Sequence, residues 1–429
     1  MKVSQYLLIS WFWKSSRAIR KSAPDSIPPG NPYRAILRRD YPEPLIALLA
    51  FILGIWLWDH YFGKEQGYAP GTEQVALVKI DRDLRLADAM ADDPRWLKWL
   101  AGVSEPTAAR EDALEVFQQL AAEQSISPQG LEAFAMVKAE QDGLPQGRSH
   151  GQGGIELRAR AVFARSAVWL LGLVGLVFIP SALRSLKNGF TAKPRGYGDA
   201  WSLPLGLVVF LVATLAWIGF SMTLDLGIAA LPGLHPGAAI FLDSAARLLP
   251  PLIALGLLFK RPSHAARVMG LARRVQMKAV LGMFSLLMIA DQILRLAMGE
   301  SGSNSPGGGL SLADSGLWGL AFALVSACLL APVAEEILYR GVLFRACRNR
   351  LGVLPAALAS SAVFALLHFY DGYGLASVAV FGFSCALLYA GTASLTTVIA
   401  LHMLYNFAIK IPEWIVYHAP LDGPGNIPF

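Results

Sequence analysis

Nine apolar runs constrain this chain of 429 residues more than any other feature. They lie at roughly 44–62, 164–183, 201–223, 238–259, 279–298, 317–340, 354–370, 374–390 and 395–411. Most approach the roughly 20 residues that an α-helix needs to cross hydrocarbon at a rise of 1.5 Å per residue. The composition agrees: 54% of residues are hydrophobic and 16% are charged, where a soluble domain carries about 25% charged residues. Disorder, a collagen-like fibre and a disulfide-stapled secreted domain are excluded on the same grounds. The expected fold class is all-α, a polytopic transmembrane helical bundle of about nine spans with a small helical extramembrane insert.

The charges set the topology. The net charge of +6 would suit nucleic acid if it were clustered on a soluble face, but the basic residues sit where apolar runs end. Arg34, Arg38 and Arg39 precede the first run, and Arg184, Lys187, Lys193 and Arg195 lie between the second and third. Six more cations from Lys260 to Lys278 lie between the fourth and fifth with no acid among them, and Arg345, Arg348 and Arg350 lie between the sixth and seventh. Up to the seventh run every second connection is basic, as the positive-inside rule requires for a cytoplasmic N-terminus. The expected partner is therefore a lipid bilayer and not nucleic acid, and the expected location is a bacterial inner (plasma) membrane. Cys328, Cys347 and Cys385 all fall in or beside apolar segments and imply no disulfide framework.

This pattern divides the chain into a basic interfacial arm (1–43), a first transmembrane helix (44–62), a polar helical insert (63–161), accessory transmembrane helices (162–278), a core (279–411) and a tail (412–429). Within the insert, helices are expected over Asp83–Met90, Asp93–Leu100, Thr107–Ala122 and Pro128–Gln141, the last after a capping Ser127. The topology puts the insert outside, as a small cap or as a domain that recruits or gates substrate.

Ionisable groups inside spans are costly and mark functional candidates. Asp243 with Arg247 and Asp291 with Arg295 are i,i+4 pairs that can neutralise each other. The polar groups of the sixth, seventh and ninth runs are of another kind: Glu335-Glu336 with Arg340, His368, and His402 with Asn406. The basic link between runs six and seven is centred near residue 352, so Glu335 lies 17 residues before it and His368 lies 16 after it. In an antiparallel hairpin those side chains reach about the same depth. His402 and Asn406 are i,i+4 and share a helix face. A carboxylate and an imidazole at one depth can activate a water as general base, while a second His and an amide can hydrogen-bond the oxygen of a tetrahedral intermediate. Glu336 can pair with Arg340 one turn on. These parts describe amide hydrolysis inside the bilayer, although each residue alone also has a structural reading: a satisfied buried His or an i,i+4 ion pair.

The set Glu335-Glu336-x-x-x-Arg340, Phe364-x-x-x-His368 and His402-x-x-x-Asn406 resembles the CPBP family of intramembrane endopeptidases. That group contains the CAAX prenyl endopeptidases of the Ras-converting type and the bacterial bacteriocin-processing and self-immunity (Abi) proteins. The resemblance covers roughly residues 280–410. It implies a helical glutamate-type protease without a cofactor, in which Glu335 and His368 activate water, His402 and Asn406 stabilise the oxyanion, and Glu336 and Arg340 support them. The implied partner is a membrane-anchored protein or peptide substrate, with a leader peptide or an anchored tail favoured over a prenylated CAAX box. Three alternatives stand beside it. A zinc-dependent version would use Glu335, His368 and His402 as ligands, though the H-E-x-x-H motif is absent. A serine protease would pair Ser384 with His402. A non-catalytic scaffold, immunity protein or transporter would use the polar cluster for binding.

Overall fold

The structure is a computed structural model that describes residues 43–62, 82–83, 85–87, 89–103, 152–191, 201–229, 242, 244–298, 321–322, 324–370 and 372–417. The chain divides into two compact units, Met1–Ile46 and Ala47–Phe429; of the first, only residues 43–46, a first helical turn, are described. The expected N-terminal arm, the insert helices beyond residue 103, and Asp243 lie outside the described residues.

Every regular element among the described residues is helical. In order they are α1 (Glu43–Phe62), α2 (Arg95–Ala101), α3 (Gln152–Leu176), α4 (Ile179–Thr191), α5 (Leu203–Ala229), α6 (Leu249–Leu258), α7 (Pro262–Met269) and α8 (Met277–Met298). A composite helix follows: π1 (Ser326–Leu330), α9 (Ala331–Glu335), π2 (Glu336–Phe344) and α10 (Arg345–Leu351). Then come α11 (Val353–Leu366), α12 (Gly372–Thr392) and α13 (Leu395–Tyr417). Five stretches among the described residues are long and apolar enough to cross a membrane: Gly154–Leu176, Leu203–Leu224, Met277–Met298, Gly372–Thr392 and Leu395–Val416. Glu43–Trp58, Ser244–Leu258 and Val353–Leu366 are shorter apolar helices. Phe163, Leu170, Leu215 and Phe220 are exposed on these helices. Large apolar side chains turned outward, with charges sealed within, define an integral membrane bundle.

The second apolar run does not form one helix. α3 begins at Gln152, a turn at 177–178 interrupts it, and α4 continues as a shorter helix. α4 lies against α8 and α12. Its Ser185 and Gly189 face Leu387 and Gly391 so closely that a Cβ added at Gly391 would stand 1.9 Å from the Ser185 carbonyl oxygen. Small residues four apart let two membrane helices approach backbone to backbone. The composite helix occupies the centre, with π2 touching α5, α6, α11, α12 and α13. Residues Glu336–Arg348 are buried throughout.

Candidate active site

The composite helix carries the glutamates at a change of register. At Ala331 the backbone N–H reaches Ser326 O, an i→i−5 bond. Continuing that register would require an N–H at residue 332 for the Ala327 carbonyl, and residue 332 is a proline with none to give. Asn406 supplies the donor: its Nδ2 bonds Ala327 O at 2.7 Å. π-type turns gather at functional sites, and here Glu335 ends the α-helical insert and Glu336 opens the second π segment. Pro332 was the only trace of this in the sequence.

The two glutamates have opposite environments. Glu336 is 0% exposed at its side chain, and its Oε1 accepts from Arg340 Nη1 at 2.8 Å and from His402 Nδ1 at 2.8 Å. Arg340 also donates from Nη2 to Gly382 O at 3.0 Å and lies over the Phe364 ring at 4.5 Å. Gly382 permits that approach, since a Cβ there would meet Arg340 Nη2 and Phe364 Cδ1 at 3.2 Å. Glu335 keeps 26% of its side chain exposed, and its Oε2 stands 3.8 Å from His402 Nε2. The order Arg340–Glu336–His402–Glu335 thus runs from a sealed ion pair to an accessible carboxylate.

Ring tautomers follow from the partners. A carboxylate only accepts, so His402 Nδ1 donates to Glu336 and its Nε2 is the atom turned toward Glu335. His368 Nδ1 lies 2.6 Å from the Phe364 carbonyl, which also only accepts. Its Nδ1 therefore carries the hydrogen and its Nε2 presents a lone pair. His368 sits at the end of α11 in a turn where Phe369 adopts φ +55°, a conformation that bulky side chains occupy only under constraint. Trp56 Nε1 on α1 donates to Tyr370 O at 2.9 Å and secures the same turn.

Phe364 links the expected residues, with its ring 4.5 Å from His368 and 6.1 Å from His402. Among the described residues no hydrogen bond or ion pair joins Glu335 to His368, and none joins Ser384 to His402. Also among the described residues, no three His, Cys, Asp or Glu side chains converge closely enough to hold a metal ion, the set Glu335, His368 and His402 included. Sequence reasoning missed the aromatic frame: Phe381 lies 4.8 Å from His402 and stacks on Tyr405 at 4.8 Å. It also missed that Asp291, besides pairing with Arg295 at 3.0 Å, accepts from Tyr373 and from Ser377 Oγ.

Among the described residues, the candidate site is thus a buried carboxylate–imidazole chain that opens on an accessible glutamate within an all-α membrane bundle. Residues 317–408 match the family described as Rce1-like, type II CAAX prenyl endopeptidase Rce1-like. That is a family of proteases, and the segment similar to it holds all six candidate residues. No curated protein and no solved structure matches the chain.

Proposed function

We propose that the protein is an endopeptidase that hydrolyses a peptide bond in a membrane-associated or lipidated protein, with Glu335 as the general base. The carrying observation is the division of labour between adjacent glutamates: Glu336 is sealed and committed to Arg340 and His402, while Glu335 stays accessible opposite His402 Nε2. A water bridging Glu335 Oε2 and His402 Nε2 would stand about 2.8 Å from each, within hydrogen-bond reach. Glu335 takes the proton of that water, with the His368 Nε2 lone pair as the second base, and the oxygen attacks the scissile carbonyl. The proton passes from Glu335 to His402 Nε2, and the oxyanion accepts from that N–H and from the second N–H of Asn406, the first being held by Ala327 O; collapse of the intermediate breaks the C–N bond, and the His402 proton leaves on the amine. Glu336 keeps His402 oriented and balances its positive charge, as a buried carboxylate does for a catalytic imidazole. No cofactor takes part.

The family description names a CAAX prenyl substrate for that family, which favours a lipid-anchored chain; a leader peptide or an anchored tail is the other reading. The basic links support a cytoplasmic N-terminus, and a bacterial inner membrane is the proposed location. Purified protein in vesicles, given one membrane-anchored peptide with and without a farnesyl chain, tests the activity and the substrate class together. Cleavage is expected from the wild type and none from Glu335→Gln, while Ser384→Ala and a chelator leave turnover unchanged. Equal turnover by Glu335→Gln removes the proposal, and loss with the chelator replaces it with the zinc reading.

A further inference from the structure

The segment 82–103 is fixed to the bundle on one side and aromatic on the other. Pro94 leads into α2 from an extended conformation. Gly102 ends it in the left-handed region at φ 64°, with the Gly102 and Val103 N–H groups returning to the Trp99 and Lys98 carbonyls. Leu97 and Ala101, i and i+4, join Met90, Leu157 and Val416 in an apolar cluster. Asp93 takes a bidentate pair from Arg158, at 2.5 and 2.7 Å. The Arg165 guanidinium abuts Gly102 so closely that a Cβ there would lie 2.5 Å from Nη1. The orientation of α2 is therefore set at its start, its middle and its end.

That orientation turns Trp96 and Trp99, i and i+3, outward at 64% and 55% exposure. The Trp99 ring lies 4.8 Å from Trp169, which belongs to a helix long and apolar enough to span a membrane and whose Phe163 and Leu170 are exposed. The aromatic face of α2 thus continues the lipid-facing flank of α3. A groove of about 390 Å³ between the two, lined by Leu97, Ala159, Val162 and Phe163 with Arg158 and Ser166, has the apolar character that suits an acyl chain.

We propose that α2 is a bilayer-interface anchor, with Trp96 and Trp99 seated in the headgroup region of the membrane that α3 crosses. Indoles combine an apolar body with a donor that stays wet, and they concentrate at this depth. Because Val416 belongs to the cluster beneath α2, the anchor also steadies the far end of α13, the helix of His402 and Asn406. The segment rests on lipid, and the inference stands whether or not the bundle is a protease.

The test is nitroxide depth measurement on the full chain in vesicles of phosphatidylcholine and phosphatidylglycerol. The three native cysteines are buried, so a label introduced by Trp96→Cys reports one position, and Asp92→Cys at the exposed Asp92 is the aqueous reference. The oxygen-to-nickel-chelate relaxation ratio at 96 is expected to exceed that at 92 several-fold. Equal ratios would place α2 in water and overturn the anchor. A label at 96 shielded from both reagents would reveal a protein partner and overturn it too.

Discussion

Replacing Glu336 with Gln is the sharpest perturbation of the site, because its carboxylate serves two neighbours from one oxygen. Arg340 has 1% of its side chain exposed, with Nη1 2.8 Å from Glu336 Oε1. At that separation and an effective dielectric of about 20, the attraction is about 6 kcal/mol. The amide dipole and local relaxation recover part of it, which leaves a destabilisation of about 3–5 kcal/mol for a buried cation stripped of its partner. Replacing Arg340 with Met as well removes the orphaned charge and should restore the unfolding free energy in detergent to within about 1 kcal/mol of the parent, since neutral replacement of a buried pair is close to neutral. Activity should not return, because His402 Nδ1 still faces an amide where it had a carboxylate. Thermal unfolding of the two variants and the parent, paired with turnover of a membrane-anchored peptide, reads both effects. A Glu336→Gln single variant as stable as the parent would refute the electrostatic argument. Recovery of turnover in the double variant would refute the orienting role of Glu336.

Other outcomes follow from single contacts. Asn406→Leu strands the Ala327 carbonyl and should lower stability by about 1–3 kcal/mol; Asn406→Asp, which offers no donor when ionised, should not restore it, and urea-assisted unfolding in detergent measures both. Phe369→Gly relieves a left-handed backbone at φ +55° worth about 1–3 kcal/mol. The melting temperature should hold or rise while turnover falls, and a lower melting temperature would contradict the strain. The Arg158 guanidinium holds the Asp93 carboxyl below its ordinary value of 3.8. A depressed carboxylate stabilises the fold above that value and loses the contribution as pH falls through its lower folded value. Asp93→Asn should therefore reduce stability by about 0.2–1 kcal/mol at pH 7, with the difference disappearing in acid; a difference that grew in acid would reverse the sign.

The membrane character and the polar set were legible because both rest on simple rules: twenty apolar residues span a bilayer, and charges within such runs have uses. Spacing singled out Glu335, Glu336, Arg340, His368, His402 and Asn406 as candidates, and the structure brings Arg340, Glu336, His402 and Glu335 together. Details of pairing were not legible. His402 bonds Glu336 because the π register of the composite helix brings that residue under α13, and a straight-helix wheel does not contain this rotation. Asn406 spends an N–H on the Ala327 carbonyl, a consequence of Pro332 that becomes visible only once α13 lies beside π1. The break at residues 177–178 and the extension of α3 back to Gln152 were hidden for another reason. Hydropathy reports where the slab is greasy, while Arg158 and Arg160 are accommodated by their carboxylate partners Asp93 and Glu156. Phe381 and Tyr405 carried no signal at all, since an aromatic in an apolar run looks like any other core residue.

Proteolysis by Glu335 is tested most directly by quantitative mapping of membrane-protein termini in the native host, comparing the wild type with Glu335→Gln at equal protein levels. A defined set of internal cleavage termini should be present in the wild type and lost in the variant, with their sequences reading out the substrate class. Identical termini in the two strains, with the cognate membrane proteins expressed, would contradict the assignment of Glu335 as the base and would favour a binding role for the polar cluster.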